Sequence, residues 1–184
     1  MVRPSSEFVS SENAASGNTL FSTRKFVNCR KQADALVEPR NNVMQNTNRS
    51  LIWHGMCLFL IGLLTGFAET HFANMRMGLA AHLEGVMNGT FLVALGAAWH
   101  EVKLSPSAKA VAYGTALYGT YGNWLVTTLA ATFGTAALSP ITGAGHSGQP
   151  WQESLVTIGF LTVGIAIVAS SVLVLWGVRA KALA

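Results

Sequence analysis

The sequence predicts an all-α integral membrane protein, a four-helix bundle with both N- and C-termini on the cytoplasmic side. Three observations predict it. Apolar residues make up 51% of the 184 and charged residues 11%, well under the usual charged share of about 25%. Beyond residue 50 the chain breaks into four apolar segments, each close to the roughly 20 residues a helix needs to cross a bilayer. The Lys and Arg residues fall almost entirely on one side of those segments.

Taken in order, residues 1–48 are rich in Ser, Asn and Arg and show no sustained apolar period, which predicts a disordered cytoplasmic tail. They lack the apolar core and small-residue cleavage site of a signal peptide. Met44 stands just before the first span, so the part preceding it reads as an extension or an upstream start. Residues 49–184 form the transmembrane domain. Its predicted spans are Leu51 to Phe72, Met77 to Trp99, Ala108 to Phe133 and Leu155 to Val178. They are assigned as helices because an isolated strand cannot satisfy its backbone groups in lipid. Pro106 suits the first turn of the third helix. Pro140 and Pro150, with Gly143, Gly145 and Gly148, make the 135–154 loop irregular, a length at which loops serve as lids or pack onto the surface. The fourth span is apolar all round and offers no chemistry.

The tail, Lys103, Lys109, Arg179 and Lys181 hold every basic residue except Arg76, and the 135–154 loop has none. The positive-inside rule then sets the termini and the 100–109 loop in the cytoplasm. The net charge of +4 and the pI near 9.4 describe that tail and those loops. A nucleic-acid partner is excluded, since no basic stripe is interleaved with stacking aromatics. Cys29 and Cys57 form no framework, and no CxxC is present for haem attachment or thiolate zinc. GxSxG, HExxH and P-loop motifs are all missing. One polar cluster without internal repeats argues against a transporter.

The chemistry is concentrated in AHLEGVMNGTF, residues 81–91, inside the second span. Ionisable groups at membrane depth mark functional sites. At 3.6 residues per turn His82, Gly85 and Gly89 share one face, while Glu84 and Asn88 share another. Two readings of the first face stand side by side. Gly85 and Gly89 form a GxxxG that packs helices closely, as Gly62 and Gly66 do in the first span. The same groove, one turn from an imidazole, suits a flat macrocycle whose iron is reached by His82. The third span contributes Tyr113, Tyr118, Tyr121, Asn123, Thr127 and Thr128. Asn123 falls near its middle, where an unpaired amide costs a few kcal/mol, so it should face the bundle or a pocket. His54 lies at the wrong depth to pair with His82, and His100 and His146 read as solvated. His71, Glu69 and Arg76 are candidates for a polar cluster near His82. Arg76 is the natural partner of a haem propionate, or else an interfacial snorkelling residue.

MGLAAHLEGVMNGTFLVALG, together with LYGTYGNWLVTTLAATFGTAALSPI and PWQESLV, resembles the hydroxylaminobenzene mutases over most of Ile52 to Val178. These are small bacterial membrane enzymes of nitroaromatic degradation. The pattern His82-x5-Asn88-Gly89 is more distantly similar to styrene oxide isomerase, a four-span protein that forms trimers with a b-type haem between protomers. The resemblance implies a multi-pass protein of the bacterial cytoplasmic (inner) membrane, a homotrimer in contact with the lipid bilayer and with a small aromatic substrate. It implies isomerisation of hydroxylaminobenzene and related arylhydroxylamines to 2-aminophenols, with ferric haem b as a Lewis acid. His82 would be the iron ligand, with Gly85, Gly89 and Arg76 binding the cofactor. Asn88, Asn123 and a tyrosine, Tyr121 or Tyr118, would line the pocket. Glu84 is open between proton transfer and a structural hydrogen bond. A haem-dependent epoxide isomerase and a non-catalytic haem-binding subunit are the alternatives.

Overall fold

A computed structural model describes residues 46–179 apart from Ala144. The expected disordered tail lies outside the described residues as far as residue 45, and residues 46–48 already belong to the first helix. Every regular element among the described residues is helical. Helix α1 covers residues 46–68 and is prolonged by a 3-10 turn, Glu69–His71. Helix α2 runs Met75–Ala98, α3 Pro106–Phe133 and α4 Pro150–Arg179.

Polar caps, placed ahead of the apolar runs, set the helix starts. Asn74 precedes α2 and accepts the Met77 N–H through its side chain at 3.2 Å. Ser105 does the same for α3 from Ala108, with Pro106 in the first turn where its missing N–H costs nothing. Each of these helices therefore begins two residues before the apolar segment read from sequence. Helix α3 stops at Gly134, whose left-handed φ of 68° a side chain would strain.

The stretches Asn46–His71, Met75–Glu101 and Pro150–Arg179 are long and apolar enough to cross a membrane. Helix α3 matches them in length but is less apolar, because its tyrosines, Asn123 and five threonines dilute the aliphatic residues. It is also the helix with partners on all the others. Trp124 of α3 donates to Thr65 of α1 at 3.0 Å. Ala112 and Ala116 join Leu92 and Leu95 of α2, and Trp99 just after it, in a core that also holds Leu51 and Leu58. Along α4, Gly119 receives Ile167 and Gly122 receives Val163. The polar helix is thus shielded by the apolar ones. Many large apolar side chains, among them Phe67, Met87, Ile165 and Leu175, point away from the bundle, a surface suited to lipid or to a second protein.

Helices α1 and α2 touch backbone to backbone. A Cβ on Gly85 would lie 2.5 Å from the Gly62 Cα, one on Gly89 2.5 Å from the Phe59 nitrogen, and one on Gly55 2.7 Å from the Gly89 oxygen. The long 135–149 connection is tied down rather than loose. Glu153 accepts backbone N–H groups from Ala136, Ala137 and Gly148, and the Asn74 side chain donates to the Thr142 carbonyl at 2.9 Å.

Gly85→Ala is expected to destabilise the bundle by about 1–3 kcal/mol, as overpacking does. Gly164→Ala, where a methyl meets nothing within 4 Å, should be neutral or slightly stabilising. Thermal unfolding of the two variants in one detergent checks the contrast.

Candidate functional site

His82 projects from the α2 face that meets α1. Its Nδ1 lies 2.8 Å from the Gly62 carbonyl oxygen. A carbonyl only accepts, so Nδ1 carries a proton, and the ring's lone pair, where it has one, is on Nε2. The ring has this position because Gly66 leaves it room; a Cβ there would stand 2.7 Å from Nδ1. Half-buried His82 lines an open groove of about 440 Å³ with Leu63, Gly66, Phe67, Glu69 and Leu79. Among the described residues Nε2 has no hydrogen-bond partner.

Such an imidazole could ligate a haem iron through Nε2. A ligating histidine commonly gives its second N–H to a backbone carbonyl, which fixes tautomer and ring orientation. The groove opens outward between apolar side chains, so a macrocycle there would have a second surface to cover. No group of three or more His, Cys, Asp or Glu residues able to hold a bare metal ion occurs among the described residues.

The part expected of Gly85 and Gly89 is corrected. Their face is closed by the α1 backbone at Gly62 and Phe59, leaving no space for a flat ring. Of the two readings of that GxxxG, helix packing describes it. Arg76 is exposed in the first turn of α2, and it has no ion pair among the described residues; the one close pair there is His100 with Glu101 at 3.0 Å. The cluster expected of His71, Glu69 and Arg76 does not form. His71 is exposed and meets Thr70, while Glu69 lines the His82 groove.

The other α2 face meets α3. Glu84 Oε2 accepts an N–H from Asn88 at 3.2 Å and one from Asn123 in a very short contact. Asn88 Nδ2 also reaches the Thr120 carbonyl at 3.4 Å. Glu84, Asn88 and Asn123 therefore form one polar cluster within a single chain. Spacing on one helix separates Glu84 from His82 but does not say which helix faces it. Tyr121 is not part of this cluster. Its hydroxyl donates to the His54 carbonyl at 3.0 Å and lies 3.3 Å from His54 Nδ1. Tyr118 is exposed and pairs with Thr162 of α4 at 2.9 Å. The His54–Tyr121 contact was missed from sequence, where depth was weighed only against His82.

The helices thus carry a histidine with a fixed tautomer on one face of α2 and a carboxylate–amide cluster on the other. Residues 47–179 match the styrene oxide isomerase family, and the chain belongs to that family. It is 45% identical over 132 residues to hydroxylaminobenzene mutase HabB of Ectopseudomonas oleovorans, covering 71% of this chain and 80% of that one. It is 37% identical over 125 residues to hydroxylaminobenzene mutase HabA of the same organism, covering 67% and 93%. No solved structure matches significantly. The protein is accordingly an enzyme, a mutase of the isomerase class, and the reading as a non-catalytic subunit is set aside.

Gly66→Ala places a methyl against the His82 ring and should break the Nδ1 hydrogen bond. Loss of such a supporting bond typically costs 10–100-fold in metal affinity or activity. Isomerase turnover per mole of purified protein, measured beside Gly164→Ala, checks this.

Proposed function

We propose that this protein is a four-span membrane enzyme converting hydroxylaminobenzene and related arylhydroxylamines to 2-aminophenols. Its termini would be cytoplasmic, as the placement of Lys103, Lys109 and Arg179 against the unpositive 135–149 loop supports. The substrate class rests on the likeness to the two hydroxylaminobenzene mutases. The observation that carries the site is the His82–Gly62 hydrogen bond, which holds an imidazole with Nε2 free toward a groove.

His82 would ligate a haem b iron through Nε2, and among the described residues Arg76, in the first turn of α2, is the cation for a propionate. The chemistry ferric haem supplies when bound is Lewis-acid polarisation of the N–O bond. The other parts belong to the chain. Asn88 and Asn123, held on Glu84, position the substrate's N–H and O–H. The surrounding apolar helices exclude bulk water, which favours return of the hydroxyl to the ortho carbon over capture by solvent. Glu84 can take a proton from the ring carbon and pass one to nitrogen, so the sum remains an isomerisation. We assign Tyr121 to holding α3 against α1, because its hydroxyl is taken up by His54. The outward-opening groove supports a homotrimer whose haems lie between protomers. The family's own name keeps an epoxide substrate as the second reading.

The detergent-purified full-length protein should form 2-aminophenol from hydroxylaminobenzene, turn over styrene oxide far more slowly, and show a Soret band. His82→Ala should lose both band and activity by at least about 100-fold. Wild type without a Soret band overturns the haem, preference for styrene oxide overturns the substrate, and a variant retaining band and activity overturns His82.

A further inference from the structure

We infer that the Glu69 carboxylate, which shares the His82 groove, holds a haem iron bound there in its ferric state. The inference rests on the proposed haem reading and concerns a residue to which that reading gives no part. Glu69 and His82 are the two polar side chains of the groove, among Leu63, Gly66, Phe67 and Leu79. Two glycines explain their places. Gly66 makes room on α1 for the His82 ring, and Glu69 follows it by three residues. Gly78 makes room on α2 for Glu69, since a Cβ there would stand 3.3 Å from the Glu69 Cα. His82 lies one turn beyond Gly78 on the same face. Imidazole and carboxylate are thus seated within about a turn of each other, where the end of α1 meets the start of α2.

Nothing else claims this carboxylate. Among the described residues half-buried Glu69 has no ion pair and no side-chain hydrogen bond. Glu84 and Glu153, by contrast, are satisfied by two amides and by three backbone N–H groups. The neighbouring His71 and Arg76 are exposed and do not line the groove. Glu69 therefore brings an uncompensated negative charge to walls that are otherwise apolar, where salt screens it less than on an open surface. A ferric porphyrin core carries one more positive charge than a ferrous one, so a fixed negative charge near it favours the oxidised form. That is the form whose Lewis acidity the isomerisation uses. The isomerisation moves no net electrons, so turnover would not restore an iron that had become ferrous.

The test is a spectroelectrochemical titration in detergent of full-length wild type, Glu69→Gln, Glu69→Lys and Glu101→Gln. It reads the ferrous fraction from the Soret band as the potential is stepped. Glu101 is exposed, pairs with His100 and lies beyond the other end of α2, so it controls for overall charge. In Glu69→Gln the ferrous-to-ferric ratio at the wild-type midpoint should be about tenfold higher, a rise of about 59 mV for a one-electron couple. In Glu69→Lys the midpoint should rise further, and in Glu101→Gln the ratio should stay within about twofold of wild type. No rise in Glu69→Gln, or an equal rise in Glu101→Gln, overturns the inference. So does a Glu69→Lys midpoint at or below that of wild type, which decides the matter if Glu69→Gln does not accumulate. Loss of the Soret band from both Glu69 variants overturns it too, because Glu69 then holds the cofactor instead of tuning it. Wild type without a Soret band overturns the haem reading itself, an outcome set apart from the others by that absence.

Discussion

The rest of the structure depends on the backbone contact between α1 and α2. Gly62 against Gly85, and Gly55 with Phe59 against Gly89, bring the two helices closer than any side chain permits. Lipid tails are as apolar as leucine, so helices in a bilayer gain little from burying apolar surface and associate through such packing and through polar contacts. The close approach has a chemical result. It brings the Gly62 carbonyl to 2.8 Å from His82 Nδ1, and Gly66 clears the space in which the ring lies. A packing motif thus fixes the tautomer of the only histidine that faces the groove.

The second constraint is that polar groups in apolar helices must be satisfied by the protein itself. The threonines of α3 do this locally: Thr115, Thr120, Thr127, Thr128 and Thr132 each donate to the carbonyl four residues back. The tyrosines and Trp124 reach across instead, to Ser50 and His54 and to Thr65 on α1, and to Thr162 on α4. Glu84 is the costliest such group, and two asparagine amides on different helices share it. Structure and site therefore draw on the same contacts, and the helix least suited to lipid lies where three neighbours can serve it.

The helices were legible because apolar length is a strong local signal, and their boundaries slipped where Asn74, Ser105 and Pro150 start a helix ahead of its apolar run and where α1 already begins at residue 46. The division of α2 into a His82 face and a Glu84–Asn88 face was also legible, since it needs only 3.6 residues per turn. What each face meets was not. Gly85 and Gly89 look the same in sequence whether a helix or a macrocycle lies on them, and the register of α1 decides it. Asn123 was placed toward the interior by the cost of an unpaired amide, yet its partner Glu84 is 39 residues away on another helix. Tyr121 and His54 failed to find each other on paper for the same reason: parallel helices α1 and α3 match depths that a single helix cannot reveal.

The central claim is that a hydroxyl group moves within one substrate molecule inside a site closed to bulk water. The most direct measurement is the fate of an oxygen-isotope label carried on the hydroxyl of hydroxylaminobenzene, followed by mass spectrometry of the 2-aminophenol formed by the purified protein in unlabelled water. The account predicts that the product retains the label. A product whose ring oxygen comes from the water would contradict it.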